Sequence, residues 1–191
     1  MISSTILKNF QEIGQDAFVS GLIASKSGNM SIRDGKQLII TTTGSSLGRL
    51  KAEDLVRLGL EESEGPLAEK ASTELKLHQE IYKRTEANAV IHLHCPSAVA
   101  LSLSEREITP IDAEGMYYFS RIPVIHAPFQ IGSKNVIDDL ADLLKDYRVA
   151  MVSGHGVFAK GHSLEEAFFW ASSVEQAAKI IIQRRLLDMG K

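Results

Sequence analysis

Cysteine is almost absent from this sequence, and so are the patterns that mark a membrane protein or a nucleic-acid surface. Cys95 is the only cysteine among 191 residues, so no internal disulfide can form and a reducing cytoplasm is the expected location. No apolar run approaches the length that crosses a membrane, and no signal-peptide pattern opens the chain. The formal net charge is −3 and no cluster of Lys or Arg stands out. Neither a membrane nor a nucleic acid is therefore expected as a partner.

Linker segments, internal repeats and low-complexity tracts are missing as well. Residues 1–191 are therefore expected to form one domain, long enough to bury a good core. Predicted helices and strands alternate, and an Asp34-Gly35 turn joins the predicted strands 29–33 and 37–41 as a hairpin. This pattern predicts an α/β fold in which helices cover both faces of a mixed or mainly antiparallel sheet. A doubly wound dinucleotide fold is disfavoured because no Gly-x-Gly-x-x-Gly follows a strand.

The most informative segment is a short predicted strand, 89–94, which reads Ala-Val-Ile-His-Leu-His. Side chains alternate between the two faces of a strand, so His92 and His94 point the same way while Leu93 points into the opposite layer. Two imidazoles on one face can hold one metal ion, and His155 is the best candidate for a third ligand. Three histidines with an open coordination position are typical of a catalytic zinc site. The alternative is three unrelated histidines, packed or exposed.

Three clusters of small polar residues precede this strand: Gly28-Asn29, Thr43-Gly44 and Ser72-Thr73. Each stands at the edge of a predicted element, where backbone N–H and hydroxyl groups can donate to a ligand. The first amides of a helix also favour an anion, so the clusters could together cradle a phosphate. Glu74 follows at the start of a predicted helix, 73–84, and could act as a general base near a metal. The alternatives are ordinary turns, a helix cap and a solvated glutamate.

In this order, the motifs resemble those of the class II aldolase/adducin family, over nearly the whole chain. The motifs are Gly28-Asn29-Met30-Ser31, Thr43-Gly44, Ser72-Thr73-Glu74, His92-x-His94 and Gly154-His155-Gly156. The resemblance implies a three-layer α/β/α fold with a central, mostly antiparallel sheet. It also implies a homotetramer with active sites between neighbouring subunits.

The resemblance further implies a role for each candidate residue. A divalent metal, usually zinc but otherwise Mn²⁺, Co²⁺ or Fe²⁺, would be bound by His92, His94 and His155. A sugar phosphate would be the substrate, and Glu74 would be the catalytic acid/base. The residues implied for the phosphate site are Asn29, Thr43, Gly44, Ser72 and Thr73.

The implied reaction is the cleavage of a ketose 1-phosphate. The metal would stabilise the negative charge that develops as the C3–C4 bond breaks, and Glu74 would move a proton to or from the dihydroxyacetone-phosphate fragment. Glu114, Tyr117 or Tyr118, from a neighbouring subunit, are hypothetical groups for the proton of the aldehyde oxygen.

Four alternatives to an aldolase arise. A 4-epimerase or a 5-methylthioribulose 1-phosphate dehydratase would use the same metal and phosphate groups, although the epimerase branch usually carries Asp at the position of Glu74. A non-catalytic adducin-like scaffold would be expected to lack the metal ligands, which are present here. A cupin-type metal barrel also uses His-x-His, but the predicted long helices argue against a jelly roll.

Overall fold

An eight-stranded sheet forms the middle layer of the protein, seen in a computed structural model that describes residues 2–127 and 134–190. The strand order is β3-β2-β1-β4-β8-β7-β6-β5. Among the described strands, β6 and β7 pair in parallel and the other neighbours are antiparallel. The strands are β1 (Asn29–Asp34), β2 (Gln37–Thr41), β3 (Leu55–Gly59), β4 (Ala89–Leu93), β5 (Glu107–Ile108), β6 (Ile122–Ile125), β7 (Val149–Val152) and β8 (Gly156–Gly161).

Helices cover both faces of this sheet, so the expected three-layer α/β/α fold with a mostly antiparallel sheet is confirmed. One face packs against α1, α4 and α7, and the other against α3 and α6. The helices are α1 (Ser4–Val19), α2 (Pro66–Lys70), α3 (Leu75–Arg84), α4 (Pro96–Ser102), α5 (Ala113–Tyr118), α6 (Lys134–Asp146) and α7 (Leu164–Met189). Among the described residues, no helix combines the length and apolar character needed to cross a membrane.

Strand β4 lies between β1 and β8 and separates two apolar cores. Ile91 and Leu93 belong to the core under α1, α4 and α7. Val90 belongs to the core under α3 and α6. Because side chains alternate along a strand, His92 lies on the same face as Val90, at the point where this second core becomes polar. The strand prediction is thus confirmed, although the strand ends at Leu93 and His94 follows it.

Helix α3 begins slightly later than the sequence pattern predicts, at Leu75. Glu74 is its N-cap residue, with a backbone conformation (φ −94°, ψ 12°) outside the helix. The amide of Glu74 donates to Ser72 Oγ at 3.3 Å, so a local turn precedes the helix. This displacement matters because it places the Glu74 carboxylate at the helix end, facing the sheet, instead of on a solvated first turn.

Several short elements were not predicted. Helix α2 lies in a charged segment and starts at Pro66, where a proline favours helix initiation. The two-residue strand β5 and the six-residue helix α5 also lack a periodic signal. None of these elements changes the layer arrangement.

Candidate active site

The three predicted metal ligands meet at one end of the sheet. His92 lies in β4, His94 follows that strand, and His155 stands in the turn between β7 and β8. One ring nitrogen from each lies within 4.8 Å of the other two, and the Nε2 atoms of His92 and His155 are 3.2 Å apart. The structure therefore brings the three histidines together as a group that could hold one metal ion.

His92 is oriented by its second ring nitrogen. Its Nδ1 lies 3.0 Å from the carbonyl oxygen of Val157, an acceptor, so Nδ1 carries the proton and Nε2 keeps its lone pair toward the cluster. The ring also stacks on Phe158, with centroids 3.9 Å apart. Burial, followed by the neighbouring His155 and His94, holds the pKa of His92 well below its usual range. The ring is thus neutral and locked in the tautomer that a metal ligand needs.

His155 depends on a tight turn that α4 holds in place. Ser153 Oγ donates to the carbonyl of Ser102 at 2.7 Å, and the amide of Gly154 donates to Ser102 Oγ at 2.9 Å. At Gly156, an added Cβ would lie 2.5 Å from the Leu93 carbonyl oxygen, so only glycine allows β8 to approach β4 this closely. The turn therefore fixes His155 against the end of β4.

His94 is half-buried and faces the mouth of the cleft. Its pKa is lowered, first by burial and then by the nearby His155, while Glu74 opposes the shift. Helix α4 follows His94 directly, and the buried Glu175 of α7 accepts hydrogen bonds from the amides of Ser97 and Ala98. This cap fixes the start of α4 and hence the direction in which the chain leaves His94.

The Glu74 carboxylate is buried beside the histidines. Its two oxygens lie 3.7 Å from Nε2 of His92 and 3.6 Å from Nε2 of His155. Its position is fixed by Asn29, whose amide Nδ2 donates to Oε2 at 2.7 Å. A carboxylate and three imidazoles thus converge on one point, and imidazole nitrogen is a donor that zinc and related divalent ions bind well. The residues fit a divalent metal ion.

A cleft of about 220 Å³ opens next to this cluster. The predicted metal, acid/base and phosphate-site residues all line it, so the structure brings the predicted set together. Gly28 of the first predicted cluster also lines the cleft, together with three residues that were not predicted: Lys26, Ser27 and Thr42. Lys26 and Ser27 immediately precede the Gly28-Asn29 motif, and that adjacency was the available signal.

The small polar residues of the cleft differ in their hydrogen bonds and in their exposure. Thr43 Oγ1 donates to the carbonyl of Ala71 at 2.7 Å. This bond links the Thr43-Gly44 cluster to the residue that precedes the Ser72-Thr73 cluster. Both ends of the Asn29 amide are hydrogen-bonded inside the protein. Thr73 and Gly44 are exposed. The cleft therefore contains a rigid inner part around Asn29 and an accessible rim near Thr73.

Two regions outside the cleft bear on its assignment. A larger groove of about 970 Å³ lies between α1 and α7 and holds none of the predicted site residues. Glu114, Tyr117 and Tyr118 lie on α5, which does not line the cleft of the same chain. The cleft beside the histidines is the better candidate because the predicted metal ligands, the predicted acid/base and hydrogen-bond donors converge only there among the described cavities.

Comparisons with known proteins point in the same direction as this geometry. The model of the family described as Class II Aldolase and Adducin N-terminal domain matches residues 8–182. L-fuculose phosphate aldolase from Methanocaldococcus jannaschii is 29% identical over 181 residues, which cover 94% of this chain and 97% of that protein. The 3-oxo-tetronate 4-phosphate decarboxylase from Pectobacterium atrosepticum is 30% identical over 177 residues, covering 89% of this chain and 80% of that protein.

A solved structure is similar over almost its full length. The crystal structure of L-fuculose-1-phosphate aldolase from Thermus thermophilus superposes with a TM-score of 0.92 at 33% sequence identity. The match covers 99% of this chain and 98% of that chain. The similarity therefore includes every element that carries a residue of the cleft.

Proposed function

The chain belongs to the class II aldolase and adducin family, and from this premise we propose that it is a metal-dependent aldolase. The substrate is a ketose 1-phosphate of the L-fuculose 1-phosphate type, and the products are dihydroxyacetone phosphate and an aldehyde. The observation that carries the proposal is the convergence of three histidines and Glu74 within one cleft.

His92, His94 and His155 are the proposed ligands of a divalent ion, with zinc as the first choice and Mn²⁺, Co²⁺ or Fe²⁺ as alternatives. Bound there, the ion would act as a Lewis acid that stabilises negative charge on the oxygens of the substrate. The protein's own contribution is orientation: His92 is held by the Val157 carbonyl, and His155 by the turn that Gly156 permits. These contacts restrict the orientation of both proposed ligands.

Glu74 is the proposed acid/base. In the cleavage direction it returns a proton to C3 of the dihydroxyacetone-phosphate fragment, and in the condensation direction it removes that proton. Its carboxylate is buried and held by Asn29, so it reaches the substrate in a fixed position. A proton-transfer group gains most when its position is fixed in this way.

The phosphate group is proposed to bind between the inner part of the cleft and its rim, at Asn29, Thr43, Gly44, Ser72 and Thr73. Backbone amides and hydroxyls in this rim are suitable donors, and the start of α3 adds partial positive charge. Lys26, exposed at the edge of the cleft, supplies a full positive charge nearby. Since Asn29 also holds Glu74, the phosphate end and the reacting end of the substrate meet at this residue.

A decarboxylase is the second candidate, because relatives at about the same identity carry that name. Loss of carbon dioxide from a 3-oxo acid and loss of an aldehyde from a ketose both leave negative charge next to a carbonyl group, so the same site could serve either reaction. The epimerase and dehydratase reactions use the same groups and remain further alternatives. A non-catalytic scaffold is disfavoured by the intact histidine cluster.

We further propose that residues 1–191 act as one domain in a cytoplasmic homotetramer. Tyr117 is 86% exposed, and the neighbouring Met116 is 58% exposed, as expected for residues that a second subunit covers. In such an assembly Glu114, Tyr117 or Tyr118 would reach the cleft of the neighbouring subunit and handle the proton of the aldehyde oxygen.

The test is a product analysis of the metal-loaded protein. Fuculose, rhamnulose, ribulose and methylthioribulose 1-phosphates and a 3-oxo-tetronate 4-phosphate are each incubated with the protein and analysed by mass spectrometry and a coupled assay for dihydroxyacetone phosphate. We expect dihydroxyacetone phosphate from one ketose 1-phosphate, its loss on chelation and its return with added Zn²⁺. Carbon dioxide release, loss of water or an isomer as the main product would replace the aldolase with the corresponding alternative.

A further inference from the structure

A buried chain of hydrogen bonds extends from Glu74 into the protein, away from the cleft, and the reaction scheme above does not use it. We propose that His78 is a positioning residue that holds Asn29, and through Asn29 the Glu74 carboxylate, in a single orientation. The proposal rests on the acid/base role of Glu74 in the proposed function. Its structural part can be tested without substrate.

This chain of hydrogen bonds forms because α3 and β1 run side by side and their facing side chains recur at nearly the same distance. Glu74, His78 and Tyr82 follow each other at intervals of four residues along α3, which rises about 6 Å over four residues. Asn29 and Ser31 are two residues apart on β1, which rises about 6.6 Å over two residues. The two rows therefore stay in step, and side chains of one row interleave with those of the other.

Four contacts join the two rows. Asn29 Nδ2 donates to Glu74 Oε2 at 2.7 Å, and Asn29 Oδ1 lies 2.6 Å from His78 Nε2. Ser31 Oγ lies 2.7 Å from His78 Nδ1 and also 2.7 Å from the Tyr82 hydroxyl. These five side chains are at most 8% exposed, so water does not compete for the bonds.

Donor and acceptor roles along this chain follow from the orientation of the Asn29 amide. Its N–H₂ group donates to Glu74, and its carbonyl oxygen faces His78. His78 therefore donates from Nε2, and its Nδ1 accepts from the Ser31 hydroxyl. Ser31 in turn accepts from Tyr82. All four contacts are then satisfied by one arrangement of donors and acceptors.

His78 is suited to this role and not to metal binding. Burial lowers its pKa to about 4, so the ring stays neutral near pH 7, as the donor and acceptor roles require. Both ring nitrogens are already engaged, by Asn29 and Ser31. The ring therefore has no lone pair for the metal cluster, although it lies one helical turn from Glu74.

Without the donor at Nε2, the Asn29 carbonyl would lose its buried partner. The amide could then rotate and present its oxygen to Glu74, which would repel the carboxylate. A misplacement of about 1 Å at a reacting group can cost on the order of 100-fold in rate. The effect should fall mainly on turnover, because Asn29 is only one of five residues in the proposed phosphate site. Among the described residues, the His78 side chain is hydrogen-bonded to Asn29 and Ser31 and to none of the other four.

The test compares three substitutions at position 78 with a surface control. His78→Gln keeps an amide N–H near the position of Nε2, His78→Asn places its amide near Nδ1 instead, and His78→Leu removes both. The control is His162→Gln, at an exposed histidine outside the cleft. Each zinc-loaded protein is assayed for kcat, KM, zinc content and thermal stability. The wild-type protein is also labelled with ¹⁵N-histidine for long-range ¹H–¹⁵N correlation.

We expect His78→Asn and His78→Leu to lose kcat by about 10- to 100-fold, with full zinc content and KM within about threefold. His78→Gln should recover most of that loss, and His162→Gln should match the wild type. The NMR spectrum should show Nε2 protonated and Nδ1 unprotonated for His78. A kcat of His78→Leu within about twofold of wild type, or a proton on Nδ1, would overturn the proposal. If no substrate is found, the proposed function fails, whereas the tautomer still decides the hydrogen-bond chain.

Discussion

The two faces of strands β1 and β4 are built from alternate residues of the same segments, yet they differ completely in chemistry. On one face, Met30, Ile91 and Leu93 are fully buried in an apolar core. On the other face, Asn29, Ser31 and His92 are almost as deeply buried, but each is hydrogen-bonded. Asn29 bonds to Glu74 at the start of α3, Ser31 bonds to His78 of α3, and His92 bonds to the carbonyl of Val157 in β8. Burial alone therefore does not distinguish the core of this protein from its candidate active site.

The comparison shows what each kind of burial requires. Apolar side chains need only volume and shape, so many combinations can fill the face under α1, α4 and α7. A buried polar group must find a partner, or it costs about 1–3 kcal/mol. The polar face meets this requirement through pairs that are far apart in sequence, such as Asn29 with Glu74 and His92 with Val157. The candidate active site lies on the face where buried groups must be paired.

The largest effects should come from two adjacent residues that point to opposite faces. His94→Ala removes one ligand at a half-buried position, so we expect zinc affinity to fall by more than about 100-fold with little change in unfolding free energy. Leu93→Ala leaves a cavity in the apolar core and should cost about 2–5 kcal/mol of stability while zinc still binds with full stoichiometry. Isothermal titration and urea unfolding measure the two effects. Similar losses of affinity in both variants would contradict the separation of the faces.

Glu74→Gln tests whether the polar face acts as more than a metal support. The amide has nearly the same shape and can still accept from Asn29, so zinc and inorganic phosphate should bind as in the wild type. Proton transfer would be lost, and kcat should fall by about 100- to 10,000-fold. Turnover close to that of the wild type, in zinc-loaded protein, would remove Glu74 from the mechanism.

Acidification should also distinguish the two faces in their contributions to stability, because the buried histidines lie on the polar face. The pKa of His78 is lowered to about 4 from a usual value of 6.5, so between these values the unfolded chain binds a proton that the folded chain does not. Stability is therefore retained above about pH 6.5 and is lost as the pH falls toward 4. His92 and His94, whose pKa values are also lowered, add to this loss in the metal-free protein.

Urea unfolding of the metal-free protein at pH 7 and pH 4.5 measures this dependence. His78→Gln should lose less stability on acidification than the wild type does, by at most about 3 kcal/mol for a shift of this size. Leu93→Ala is the matched control, since it destabilises the protein without changing a titrating group. An equal loss in wild type and His78→Gln would show that His78 is not held neutral in the folded protein.

The smallest effect is expected at the exposed edge of the polar region. Lys26 lines the cleft but is exposed, so its charge is screened by water and salt. Lys26→Met should raise KM for a sugar phosphate by a few fold, about 1 kcal/mol or less, without changing kcat. Steady-state kinetics at low and high salt measure this, and an unchanged KM at low salt would place Lys26 outside the substrate's reach.

Much of the fold could be predicted from local patterns. Alternation along β4 and the helical spacing of α3 and α7 each depend on residues that are two to four positions apart in sequence. The same alternation predicted that His92 and His94 share a face. The network around Glu74 could not be predicted, because it depends on the register between α3 and β1, segments about 45 residues apart. Helix α3 also begins after Glu74, and that local detail directs the carboxylate inward.

His78 could not be singled out from the sequence, because a single histidine in a helix carries no signal of its own. Its proposed role depends on contacts with Asn29 and Ser31, and the sequence motif predicted Asn29 as a phosphate-site residue without indicating either contact. Similarly, Lys26 was missed because an isolated lysine next to a loop is common on protein surfaces. His78 is distinguished by its hydrogen bonds across the fold, and Lys26 by its place at the cleft, and residue type indicates neither.

The most direct test of the central claim is anomalous diffraction at the zinc edge from crystals of the zinc-loaded protein. We predict one ion per chain, bound by nitrogens of His92, His94 and His155 at about 2.0–2.1 Å, with Glu74 still hydrogen-bonded to Asn29. Zinc bound elsewhere, or bound by fewer than these three imidazoles in an intact fold, would contradict the account. In that case the polar face would have to be explained without a metal.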